Sequence, residues 1–226
     1  MQSTLRVREL CSNEVWDYEN GYHWFTSSQR VGKFLAHYEI YKKILELPGD
    51  IIECGVYKAA SAIRWATFRE LCESKRSRRL VCFDAYGDFP TSSVRGTDDQ
   101  LFTEAFTADG GSGLSLDEVK SIFAHKKLDE NTLFIKGDVR ASIPAWLEKN
   151  THARFSLVHL DMDVYEPTSS ALTDLWPRIV RGGIVVIDDY NTVGGATRAI
   201  DEFLRDKNIR LQKLGLNHTP AFFEKP

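Results

Sequence analysis

The sequence predicts a doubly wound α/β fold, a mostly parallel sheet with helices on both faces. Short apolar runs of strand type alternate with segments of helical periodicity along most of the chain. Two of those runs, Val158-His159-Leu160-Asp161-Met162-Asp163-Val164 and Val185-Val186-Ile187-Asp188-Asp189-Tyr190, flank a helical segment from Pro167 to Arg178. A strand, a crossover helix and a strand make a parallel pair, so both runs end at the same edge of the sheet. The length of 226 residues suits one sizeable domain over 1–226 and is short for two.

The elements follow in order. Residues 1–26 are polar and aromatic without clear periodicity and read as an arm. From Ser27 the pattern turns helical, with Val31, Phe34, Leu35, Tyr38, Tyr41, Ile44 and Leu45 at three- and four-residue steps. Pro48-Gly49-Asp50 stops that helix, so the arm and first helix occupy 1–48. A strand at Ile51–Val56, a helix from Ala59 to Glu73 and a strand at Leu80–Ala85 come next. Residues 86–116 are rich in Gly, Ser, Thr and Asp, and loops of that length are lids or disordered segments in most compact domains. Together with a short helix at Leu116–His125 they make a lid insertion over 86–128. A strand at Thr132–Lys136, a helix at Ala141–Asn150, the two acid-ended strands, a helix at Ala196–Arg205 and one or two closing strands within Ile209–Phe223 complete the chain.

Composition narrows the function. The net charge of -3 offers no broad basic surface for nucleic acid or an anionic membrane. No apolar stretch approaches the roughly 20 residues of a membrane helix, and Met1–Cys11 lacks a signal-peptide core. Cys11, Cys54, Cys72 and Cys82 show no CxxC spacing, and Cys54 and Cys82 fall inside strands as small hydrophobes. The expectation is a reduced, cytoplasmic enzyme with no nucleic-acid or membrane partner.

The paired carboxylates carry the chemistry. Four acids at neighbouring strand ends repel one another unless a cation or a proton holds them, which predicts a divalent-metal site with a spare carboxylate beside it. Taken singly, each acid is equally a helix cap or an exposed strand end. Upstream, Glu53-Cys54-Gly55-Val56-Tyr57-Lys58-Ala59-Ala60-Ser61 is a strand end, a turn and a helix start, the place where open α/β sheets bind ligands. Gly55 can let a ligand approach the backbone, and Ser61 can line the helix N-terminus; an ordinary tight turn is an equal reading. Asp84 ends the second strand, where ribose hydroxyls are gripped in nucleotide-binding folds. Asp138 ends the third, able to accept from an adenine amino group or to cap the next helix. Three acids after three successive strands point to an adenosine-containing ligand.

These residues resemble a class I S-adenosylmethionine-dependent methyltransferase, and more narrowly the macrocin O-methyltransferase family, which methylates sugar hydroxyls on antibiotics and related natural products. The similarity covers roughly Arg30 to Phe203 and rests on Gly49–Val56, on His159-Leu160-Asp161-Met162-Asp163-Val164-Tyr165-Glu166-Pro167-Thr168, and on Gly182–Tyr190. The resemblance implies a seven-stranded, Rossmann-like sheet, S-adenosylmethionine bound around Glu53, Gly55, Val56, Tyr57, Ser61, Asp84, Asp138 and Asp161, and Mg²⁺ at Asp161, Asp188 and Asp189. It implies catalysis by Asp161 and by Asp163 as general base on a small-molecule or glycan sugar acceptor. The chain departs from the family in having Ala59-Ala60 where glycines are usual, and a shorter N-terminal arm.

A sugar hydroxyl has a very high pKa, so methyl transfer gains from a metal that binds vicinal hydroxyls and a base that takes the proton. Asp163 is the first candidate base and His218 the alternative; His159, inside an apolar strand, reads as a core histidine. Tyr190 lines the pocket or packs, Glu166-Pro167-Thr168 reads as a helix start, and Arg95 contacts an anionic group or is solvated. Trp16, Tyr18, Tyr22, Trp24 and Phe25 are a sugar-stacking arm, core, or the packing surface of a homodimer. Rival functions are a catechol-type O-methyltransferase and a non-catalytic nucleotide-binding protein of the same fold.

Overall fold

The computed structural model describes residues 4–90, 94 and 96–226, so Arg95 lies outside the described residues. A two-residue hairpin, β1 (Arg6–Val7) and β2 (Leu10–Cys11), leads into α1 (Val15–Phe25) and α2 (Ser28–Lys42). Then come β3 (Asp50–Cys54), α3 (Ala60–Cys72), β4 (Leu80–Asp84), α4 (Thr97–Gly110), α5 (Leu116–His125), β5 (Thr132–Lys136) and α6 (Val139–Lys149). The second half holds β6 (Phe155–Leu160), α7 (Tyr165–Leu175), β7 (Ile179–Ile187), α8 (Gly194–Leu204), β8 (Gln212–Lys213) and β9 (Ala221–Glu224).

The sheet has seven strands in the order β5-β4-β3-β6-β7-β9-β8. β3 to β7 are parallel, and β9 runs antiparallel to both β7 and β8. Strand side chains alternate between two cores, as a sheet buried on both faces requires. Ile51, Leu80, Cys82, Leu157 and Val186 face α2, α3 and α5. Ile52, Val81, Phe83, Val158 and Val185 face α6, α7 and α8. The chain reverses direction of growth between β3 and β6, and the crevice at that switch point is where such sheets bind ligands.

Three sequence expectations change. Residues 15–25, read as irregular, form a helix with no buried residue, so its aromatics are not core: Trp16, Trp24 and Phe25 are exposed. The 86–116 loop contains the four-turn helix α4, whose polar sequence hides its period. On α2 the buried face is Gly32, Ala36, His37, Ile40 and Tyr41, whereas Val31, Phe34 and Leu35 remain partly exposed. The helix is thus rotated from the face that hydrophobic spacing selects. Gly32 explains the rotation, since a Cβ there would meet the Leu216 carbonyl oxygen at 2.4 Å. The two acid strands end at Leu160 and Ile187, leaving their aspartates in the loops beyond.

Candidate active site

Register sets the site. Cys54, Leu160 and Ile187 lie level across β3, β6 and β7, so Gly55, Asp161 and Asp188 leave the sheet side by side. The Asp161 N–H donates to the Cys54 carbonyl at 2.9 Å and the Asp188 N–H to that of Leu160 at 3.1 Å. Gly55 has φ +89°. A Cβ there would lie 1.7 Å from the Asp161 carbonyl oxygen, so the glycine is required by its neighbouring strand end before any ligand is considered. Asp163 also sits in the left-handed region, at φ +66°, which is costly for a residue with a Cβ. Two bonds hold it there: its N–H donates to Asp189 Oδ2 at 3.1 Å, and its carbonyl accepts from Ala196 N at 3.2 Å.

Carboxylate oxygens of Asp161, Asp163 and Asp189 lie within 4.8 Å of one another. An all-oxygen donor set of this charge fits a hard divalent cation. Burial, then the neighbouring acids, push Asp161 and Asp189 well above the usual carboxylate range. The same causes push Asp163 up to about 8. Asp188 is turned elsewhere. Its Oδ2 accepts a short hydrogen bond from Lys33 Nζ, and its Oδ1 faces His159 Nε2 at 3.5 Å and His37 Nε2 at 3.8 Å. Although burial opposes it, these donors hold Asp188 well below its ordinary range. The trio of Asp161, Asp188 and Asp189 expected from the sequence is therefore not the trio that these side chains form. Asp163 takes the third place because Lys33 has claimed Asp188.

Beneath the acids lies a buried polar network. Glu53 accepts from the Ser61 hydroxyl and pairs with His159 Nδ1 at 2.8 Å, all three residues being buried. Burial disfavours a charged His159, yet Glu53 and Asp188 outweigh it and raise the imidazole to about 10. His37, stacked on Trp65 at 4.6 Å, is lowered to about 3 by burial. Glu53, Ser61 and the buried Val56, expected at the cofactor, are thus drawn behind the site and do not line its cavity. His159 is a core residue, as its strand position implied, but an ionic one.

The cavity measures about 530 Å³, within the usual range for small-molecule sites. Gly55, Tyr57, Asp84, Asp138 and the acid cluster line it, with Thr103, Phe106 and Thr107 of α4 in its wall. Asp84 Oδ2 accepts from Val56 N at 2.6 Å and Tyr57 N at 3.2 Å, and Oδ1 from Tyr86 N at 2.5 Å. Asp138 caps α6 through Arg140 N at 3.0 Å and pairs with the Arg140 guanidinium at 2.5 Å, which lowers its pKa. It therefore fills the cap role and faces the cavity at once. Asp99, 1% exposed, joins α4 to the site by accepting from Tyr165 N at 3.2 Å. A Cβ on Gly195 would meet Asp99 Oδ1 at 2.0 Å.

Other candidates fall outside this cavity. His218 is exposed and bonds Asn217, and the Tyr190 hydroxyl donates to Asp201 at 2.8 Å. None of the five arm aromatics lines it. Pro167 does, from the first turn of α7. Sequence reading missed Lys33, His37 and Asp99. The i, i+4 spacing of Lys33 and His37 on α2 was an available signal that both share one helix face.

A seven-stranded sheet with this strand order and a cavity at its switch point is the class I methyltransferase fold. Solved structures agree. The apo structure of CalS11, described as a TDP-rhamnose 3'-O-methyltransferase of calicheamicin biosynthesis, superposes with a TM-score of 0.67 at 25% identity, over 94% of this chain and 86% of that one. The O-methyltransferase NovP gives 0.72 at 20% identity, over 86% and 80%. The chain belongs to the macrocin O-methyltransferase family: the profile described as Macrocin-O-methyltransferase (TylF) matches residues 23–225. Among curated relatives, the 8-demethyl-8-(2,3-dimethoxy-alpha-L-rhamnosyl)-tetracenomycin-C 4'-O-methyltransferase of Streptomyces olivaceus is 28% identical over 145 residues, 64% of this chain and 54% of that protein. The mycinamicin III 3''-O-methyltransferase of Micromonospora griseorubida is 26% identical over 165 residues, 72% and 62%. The matched segments thus span little more than half the length of these relatives. No helix among the described residues is long and apolar enough to cross a membrane.

Proposed function

We propose that this chain transfers the methyl group of S-adenosylmethionine to a sugar hydroxyl of a natural product or glycan, with a divalent cation, Mg²⁺ first, at its acid cluster. One observation carries the reading. A single cavity has hydrogen-bonded acids at one end, Asp84 and Asp138, and crowded acids at the other, Asp161, Asp163 and Asp189. Relatives named for O-methylation of a rhamnosyl-tetracenomycin and of mycinamicin III support the acceptor class.

Asp84 spends three acceptor positions on backbone N–H groups and keeps about one of its four for a ribose hydroxyl. Asp138 and the Gly137 backbone border the adenine end. Gly55 and Tyr57 line the path between them and the acids. Asp161 and Asp189 would hold the cation, which would supply Lewis acidity there. Asp163 takes the hydroxyl proton as the new O–C bond forms and the sulfonium S–C bond breaks, leaving S-adenosylhomocysteine. Phe106 and its neighbours on α4 shield the reacting atoms from water.

The test incubates the purified chain with methyl-labelled S-adenosylmethionine and a panel of glycosides and nucleotide sugars, with and without EDTA. Label transfer to a sugar oxygen that EDTA stops is the expected result. Absence of S-adenosylmethionine binding in calorimetry ends the methyltransferase reading, and full activity in EDTA ends the metal reading.

A further inference from the structure

The acid cluster already contains a cation of the chain's own. Lys33 reaches it from α2, a helix of the N-terminal segment rather than a crossover of the sheet. Its side chain is 19% exposed and that of Asp188 8%. An ammonium brought that far out of water persists only when paired, and among the described residues its one partner is Asp188. Lys33 and His37, one turn apart, both face this carboxylate. Asp161 and Asp189 are the next acids acting on Lys33. The opposite oxygen, Asp188 Oδ1, is buried and makes no hydrogen bond. Asp188, level with Asp161, is therefore held by a lysine on Oδ2 and faced by the His159 imidazole on Oδ1, and of these two partners only the lysine lines the cavity.

Resting on the metal reading above, we propose that Lys33 is a tethered cation that holds Asp188 in the metal-free protein and that a divalent ion displaces it on entry, so that Lys33 sets the cation affinity of the site. Asp188 joins the ligands only when the ammonium withdraws. Lys33 and Arg30 both line the cavity, so the displaced ammonium has open space to withdraw into. The device has two consequences. The cluster folds without metal because one of its four acids is neutralised internally. Metal binding is weakened because it begins by breaking a charge-assisted hydrogen bond.

Calorimetric titration with Mn²⁺ alone, without cofactor or acceptor, tests this in the wild type and in Lys33→Met, Lys33→Arg and Lys42→Met. Lys42 is an exposed lysine of the same helix, paired with Glu39 at 2.9 Å, and controls for net charge. Lys33→Met is expected to bind Mn²⁺ at least tenfold tighter, while Lys33→Arg and Lys42→Met stay within about threefold of wild type. Melting supplies a second readout: metal-free Lys33→Met melts lower than wild type, and Mn²⁺ raises its Tm by more. Equal or weaker Mn²⁺ binding by Lys33→Met overturns the proposal, as does equal tightening by Lys42→Met or Lys33→Arg. If neither wild type nor Lys33→Met binds Mn²⁺, the metal reading falls and takes this proposal with it.

Discussion

The two ends of the cavity use the same residue type in opposite ways. At one end Asp84 and Asp138 are well partnered: three backbone N–H groups point at the first, and a helix N-terminus and a guanidinium hold the second. At the other end no lysine or arginine among the described residues pairs with Asp161, Asp163 or Asp189. Their shared crowding drives their pKa values up. A partnered carboxylate shapes the walls and receives neutral hydroxyls. A carboxylate crowded by other acids and paired with no cation stores a demand for one.

The largest effect that sharpens this contrast belongs to Asp161→Asn. It is expected to lower methyl transfer about 10³-fold, as EDTA does, while S-adenosylmethionine affinity by calorimetry stays within about threefold. A matching loss of cofactor affinity would erase the distinction between the ends. Asp84→Ala should do the reverse. It strands the three N–H donors, costs about 2–3 kcal/mol in denaturant unfolding and weakens cofactor binding about 10- to 100-fold.

Asp163 gives the pH form of the same comparison. Its folded pKa of about 8 lies above the unfolded value near 3.9, so its favourable contribution is present at low pH and is lost as pH rises from 4 through 8. Metal-free Asp163→Asn should therefore gain on wild type across that window. The expected gain is about 1–2 kcal/mol at pH 8.5 after discounting for partial exposure, and almost nothing at pH 4. A gain that is flat with pH would mean that Asp163 is not crowded. The smallest effect is at Ala59, which caps α3 at φ +63°. Ala59→Gly relieves a left-handed alanine and should stabilise by about 0.5–1 kcal/mol without changing the metal response.

The fold was legible because strands buried on both faces write themselves as apolar runs, and the parallel pairing of β6 and β7 followed from the helix between them. The acid cluster was legible for the same reason, since strand ends in a parallel sheet lie level. What was not legible depends on rotation and direction. Hydrophobic spacing chose Val31, Phe34 and Leu35 for the inner face of α2, whereas small residues, Gly32 and Ala36, fix the real one and bring Lys33 and His37 inward. Without Lys33 in view, nothing in the sequence could show Asp188 engaged by an ammonium while the other three acids are not. The inward bonds of Glu53 and Ser61 were hidden for a related reason: sequence gives their strand and helix, but not that His159 sits level with Glu53 on the neighbouring strand and pairs with it.

Asp99 ties the helix above the cavity to the first amide of α7, two residues beyond Asp163, in a space that exists because residue 195 has no side chain. That single amide is therefore a clock. Hydrogen exchange at Tyr165 N–H is expected to report any opening of α4 over the cavity. Gly195→Ala is expected to speed that exchange by crowding Asp99 and the Tyr165 amide, at a position that does not line the cavity.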